Sequence, residues 1–174
     1  TIAANKTIDS MTGAGTTGLG AFTLTIGDAT NTSATYAGIA SGTGGLTTGG
    51  TGTLTLSGVQ AYTGATTITA GSTLALDATG TIEPSSGVAN AGALTIAANK
   101  TIDSMTGAGT TGLGAFTLTI GDATNTSATY AGIASGTGGL TTGGTGTLTL
   151  SGVQAYTGAT TITAGSTLAL DATG

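Results

Sequence analysis

The sequence predicts an all-β protein, a right-handed parallel β-helix, and three observations carry that expectation. Glycine (34 residues) and threonine (45 residues) dominate a chain of 174. Glycine at this density interrupts helices, whereas Thr, Val, Ile and Tyr favour strands. Residues 1–80 recur without a substitution as residues 95–174, an offset of 94. Inside each copy, pairs of the form Leu-x-Leu or Leu-x-Ile return at spacings of 20, 24 or 30 residues. Self-similarity of this kind marks units that bury a core only by stacking on one another.

The pairs fall at 24/26, 54/56, 74/76, 94/96, 118/120, 148/150 and 168/170. One pair per coil predicts about four coils per 94-residue repeat, with strands stacked at about 4.8 Å. Leu54, Leu74, Leu94 and Leu118 are expected in one interior ladder, with Leu56, Leu76, Ile96 and Ile120 beside it. The intervening Thr55, Ala75, Thr95 and Thr119 then face outward by the period-2 rule. Tyr62 and Ile68 occupy the other two walls, giving three short strands per coil with glycine-rich corners such as Ser57-Gly58, Thr63-Gly64 and Gly71-Ser72. The 24- and 30-residue spacings imply extra loops, placed at "GDATNTSATY" and "TGAGTTG". No Asn-Gly or Asp-Gly dipeptide offers the tight turns of a hairpin meander. Parallel crossovers favour the right hand. Eight coils make a rod of about 38 Å. Residues 1–94 form the first repeat and 95–174 a truncated second, in one continuous solenoid. Thr1 opens inside a repeat and the second copy stops at Gly174, so the chain reads as a window from a longer array.

Composition excludes several functions. Only 5% of residues are charged, and mean hydropathy is +0.36, so the chain is expected to bury a core rather than stay disordered. The net charge is −5 and the cations are Lys6 and Lys100 alone. Two lysines do not neutralise a row of phosphates, which argues against nucleic-acid binding. No apolar run approaches the roughly 18 residues of a membrane span. There is no Cys to form a disulfide and no His for a catalytic triad.

The stretch "GTGTLTLSGVQAYTGATTITAGSTLAL", residues 50–76 and again 144–170, resembles the autotransporter-associated β-strand repeat. That repeat is found in passenger domains of Gram-negative autotransporters and in very large surface adhesins. "GLGAFTLTIGDAT" and "GIASGTGGLT" are similar to passages of the same passengers. The resemblance implies a β-helical passenger segment displayed on or released from the cell surface. It carries no catalytic residues to transfer.

The residues that could carry chemistry are few. The acids are Asp9, Asp28, Asp77, Glu83, Asp103, Asp122 and Asp171. On the expected coils, Asp28 and Asp77 share a corner two coils apart, about 9.6 Å. That is too far for a shared proton or for the ~5–5.5 Å carboxylate pair of a retaining glycosidase. No catalytic site and no cofactor are expected. The best local cluster for a hard cation is Asp28 with Asn31, repeated as Asp122 with Asn125, though Asp and Asn in such a stretch first serve turns. Asn5, Asn31, Asn99 and Asn125 stand in N-x-[ST] triplets. Outward threonines could order water as ice-binding solenoids do, but Ala75 and Ala93 break those rows. Lys6 and Asp9 read as a solvated corner contact.

The function expected is structural: a rigid spacer that gives reach and display to a long surface or extracellular protein. End-to-end self-association is expected, because terminal coils leave backbone edges unpaired. The alternative is an adhesin module contacting glycans or matrix through loop 27–36. Its aromatic platforms would be Tyr36 and Tyr130, which are expected to point inward.

Overall fold

A computed structural model describes residues 1–27, 33–121 and 127–174. The described residues contain strands and turns but no helix, and every strand pairing is parallel. The strands form three walls. The first wall stacks β1 (Lys6–Ile8), β3 (Leu24–Ile26), β6 (Leu46–Thr48), β9 (Thr66–Ile68), β11 (Val88–Asn90) and β14 (Met105–Thr106). It continues through a parallel bridge from Gly107 to Tyr130 into β17 (Ala128–Tyr130), β20 (Thr147–Leu150) and β23 (Thr167–Leu170). The second wall is one sheet of β4 (Ala34–Tyr36), β7 (Thr53–Leu56), β10 (Thr73–Leu76), β12 (Ala93–Ile96), β15 (Thr110–Gly114), β18 (Ile133–Gly136) and β21 (Ala155–Tyr156). The third wall holds β2 (Thr16–Gly20), β5 (Ile39–Gly42) and β8 (Ala61–Tyr62), then β13 (Lys100–Ile102), β16 (Leu118–Ile120), β19 (Leu140–Thr142) and β22 (Thr160–Ile162).

The chain visits the walls in the same order on every turn, completing eight turns before β23 begins another. The third wall is interrupted between β8 and β13, where a single bridge joins Val59 to Thr81. Pro84 lies in that interruption and has no N–H for a ladder. Ile82 still fills the interior there at 1% exposure.

Period-2 patterning builds the core. In β7, β10 and β20 the two leucines are buried and the residue between them is half-exposed. Each inward side chain sits over its equivalent one coil below, so a single apolar cluster runs from Met11 to Leu150. Each fully buried Leu or Ile contributes about 1.5–3 kcal/mol. Corners turn tightly because glycine permits it. At Gly42, φ is +124°, and a Cβ would meet the Gly20 carbonyl oxygen at 2.6 Å.

Three expectations need correction. Leu54, Leu74 and Leu94 do lie in one row, with Leu56, Leu76 and Ile96 beside them. Leu118 and Ile120 do not join it: they stack on Lys100 and Ile102 in the third wall, while Thr111 and Gly112 follow Leu94 and Thr95. The 24- and 30-residue spacings are therefore not long coils with insertions. Each is one and one-third turns, since 24/26 lies on the first wall, 54/56 and 94/96 on the second, and 118/120 on the third. The stretches assigned to extra loops contain wall strands, namely β4 at Ala34–Tyr36 and β2 at Thr16–Gly20. The physical reason is that any wall accepts an apolar-x-apolar strand, so the motif marks a strand and not a particular side.

The 94-residue repeat, expected to make about four coils, spans four and two-thirds turns. β1 lies on the first wall and its identical copy β13 on the third; β7 lies on the second and its copy β20 on the first.

Candidate functional surfaces

The side chains with chemical potential are mostly consumed by turns and corners. Asp77 closes a turn: its Oδ1 accepts from the N–H groups of Thr79 and Gly80, both at 2.8 Å, and from Thr79 Oγ1 at 3.1 Å. A hydrogen bond from the Ser57 hydroxyl, then the Gly80 N–H, holds its carboxyl down at about 2. Asp171 repeats the arrangement with Thr173 and Gly174, and the Thr173 N–H is the main cause of its lowered pKa. Carboxylates held this strongly ionised do not serve as general acids near neutral pH.

Lys100 is 7% exposed, and its Nζ donates to the Ala78 carbonyl at 3.2 Å. Desolvation lowers its pKa, and the Asp77 charge opposes that shift. Lys6, the same residue of the first copy, is exposed.

Both candidate platform tyrosines lie inside, each 2% exposed. Tyr36 donates to the Gly15 carbonyl at 2.6 Å and meets Thr17 Oγ1 at 3.1 Å. Tyr130 donates to the Gly109 carbonyl at 2.7 Å and meets Thr111 Oγ1 at 2.9 Å. Burial raises the pKa of Tyr62 and of Tyr130. The phenols of Tyr36 and Tyr130 tie their strands to corners of the coil below.

Asn5 and Asn99 use their side-chain oxygens to accept from the N–H groups of Thr23 and Thr117, each at 2.9 Å. The cation candidates Asp28, Asn31, Asp122 and Asn125 lie outside the described residues. Among the described residues no group of three or more His, Cys, Asp or Glu is placed to hold a metal ion, and no helix is long and apolar enough to cross a membrane.

Two functional features of the scaffold escape a sequence reading. Gln60 is buried inside a corner, where Oε1 accepts from Ala40 N at 2.9 Å. Its Nε2 donates to the carbonyls of Gly38 at 3.0 Å and Gly58 at 2.8 Å. Gln154 makes the same three bonds in the second copy. The available signal was a long amide at a fixed place in "SGVQAY" amid small residues. Thr48, Thr66, Thr111 and Thr142 are also buried, although threonine reads as an outward residue. Thr48 bonds the Ser72 hydroxyl at 2.8 Å, and Thr66 bonds Tyr62 at 2.7 Å and Ser85 at 2.9 Å.

Among the described residues a groove opens on the face of the last coil, lined by Leu150, Val153, Tyr156, Leu168 and Leu170. Residues 46–76 and 140–170 each match the family model of the passenger-associated-transport-repeat. Together the two matches cover 62 of the 174 residues. The first match covers β6 through β10 and the second β19 through β23, so each matched segment supplies five consecutive wall strands. No curated protein and no solved structure matches the chain.

Proposed function

We propose that the chain is a non-catalytic spacer within an autotransporter passenger, holding other parts of a surface-displayed or secreted protein away from the cell. The observation that carries this reading is that the matched passenger repeats consist of wall strands and corners. Their inward side chains make core, and Gln60 and Tyr62 spend their polar atoms on other residues of the same chain. Both repeats act together as one solenoid, and reach scales with copy number. Each 94-residue unit adds four and two-thirds turns, about 22 Å at about 4.8 Å per turn.

Copies also associate end to end in this reading. Leu170 and Ile162 are 63% and 55% exposed on the last coil, whereas their equivalents Leu76 and Ile68 are 1% and 0% exposed under following coils. The reach is tested by placing one, two or three repeats between a surface anchor and a fluorescent tag and measuring tag height. Steps of about 22 Å per repeat are expected; a height independent of copy number overturns the spacer role. Sedimentation of the 174-residue chain over a concentration series tests association, and a monomer at every concentration overturns it.

A further inference from the structure

We infer that successive repeats carry the same outer surface onto different walls, so that the rod displays every repeated feature all round and regains its phase only after three copies. The observations are the wall assignments of identical strands. The first-copy strands β1, β2, β4, β7, β8, β9 and β10 lie on walls one, three, two, two, three, one and two. Their copies β13, β15, β17, β20, β21, β22 and β23 lie on walls three, two, one, one, two, three and one. Every pair steps back by one wall. No strand keeps its side, so the shift belongs to the repeat length and not to a local distortion.

Turn length explains the step. The chain uses about 20 residues per turn, and 94 is not a multiple of that. The segment 81–94, which follows residues 1–80 and is absent from them, sets the remainder. It supplies the interrupted third-wall passage around Ile82, then β11, then the start of β12. Three copies bring the remainder to a whole number, 14 turns, and the fourth copy then overlies the first.

The consequence concerns recognition. Ile39 and Val59 are exposed apolar residues of the third-wall side, 42% and 58% exposed. Their copies Ile133, in β18, and Val153, just before β21, lie on the second-wall side, 44% and 70% exposed. A partner that reads this part of the repeat meets it from a different direction on each copy. Adjacent copies cannot both lay the same face on one flat surface. This inference rests on the display reading for its biological meaning, but its geometry is tested independently of reach or association.

The test is a spin-label distance measurement on the 174-residue chain, which has no native Cys. The repeat-equivalent pair is Thr55→Cys with Thr149→Cys, half-exposed outward residues of the second and first walls. The control is Thr55→Cys with Ser135→Cys, joined by direct register through Ala75, Thr95 and Gly112 on one wall. Four rungs separate the control pair, about 19 Å, and the repeat-equivalent pair is about 22 Å apart along the axis. Rotation to another wall adds a lateral component, so the repeat-equivalent distance is expected to exceed the control by well over the ~3 Å of extra rise. A difference of ~3 Å or less overturns the inference. Thr67→Cys with Thr161→Cys, on the first and third walls, gives a second reading should Thr55→Cys disturb the fold.

Discussion

Leu76 and Leu170 occupy the same place in the repeat and share 75 identical preceding residues, yet their surroundings differ. Leu76 is 1% exposed, with Leu56 below it and Ile96 above. Leu170 rests on Leu150 and is 63% exposed. Truncation of Leu76 to Ala removes buried methyl groups and leaves a cavity between two tightly stacked neighbours, which costs about 2–5 kcal/mol. Truncation of Leu170 removes surface that water already touches, and such changes stay within about 0.5 kcal/mol. Propensity and local sequence cancel in the comparison, so the gap reports stacking alone. In a chain of this length, 2 kcal/mol corresponds to about 4–8 °C in Tm. The assay is urea and thermal unfolding by circular dichroism of Leu76→Ala and Leu170→Ala side by side. Hydrogen exchange at residues 74–76 and 168–170 reads local opening in the same samples. Equal losses for the two variants would refute the claim that coil-on-coil burial holds this fold.

Gln60→Leu strands the Ala40 N–H and the Gly38 and Gly58 carbonyls inside a corner; a loss of about 1–3 kcal/mol per orphaned group is expected in urea unfolding, tempered by the apolar gain. Asp77 has a folded pKa of about 2 against an ordinary 3.8, so its contribution is present above 3.8 and disappears as pH falls through 2. Asp77→Asn should therefore flatten the acid limb of the stability curve between those values, measured by thermal melts across pH. Lys100 has its folded pKa lowered, so its charge is a penalty at neutral pH that is relieved as pH rises toward 10.5. The parent chain should gain on Lys100→Met over that rise, while Lys6→Met, at an exposed site, shows no such trend.

The strands that reveal themselves in the sequence are those with two apolar residues flanking one polar residue, such as Leu54-Thr55-Leu56 and Leu74-Ala75-Leu76. Their one-coil stacking is the part of the ladder that period and spacing predict directly. The side of the rod on which each strand falls was hidden, because the intervening strands carry a threonine inward. Leu46-Thr47-Thr48 and Thr66-Thr67-Ile68 each place one hydroxyl in the core, satisfied by Ser72 or by Tyr62 and Ser85. Hydrophobic counting passes over such strands, and coils then appear longer than they are. Tyr36 was legible as an inward residue, since its place matches the buried Leu56 of the coil above. Gln60 was not, because its partners are backbone atoms of three residues, two at corners and one in β5. Lys100 differs from Lys6 only through what lies beneath it, which no local reading of identical sequence can separate.

The ladders also fix how the rod answers a pull. Its backbone hydrogen bonds run between successive coils, along the axis of the rod. Tension applied at the two ends therefore loads them one coil at a time, as a zipper is loaded, rather than all strands together in shear. Each coil that lets go releases about 20 residues, roughly 70 Å of extended chain in exchange for about 5 Å of rod. Force spectroscopy should record a train of small, evenly spaced yields. A rod with that response lengthens many-fold under load while its remaining coils stay folded.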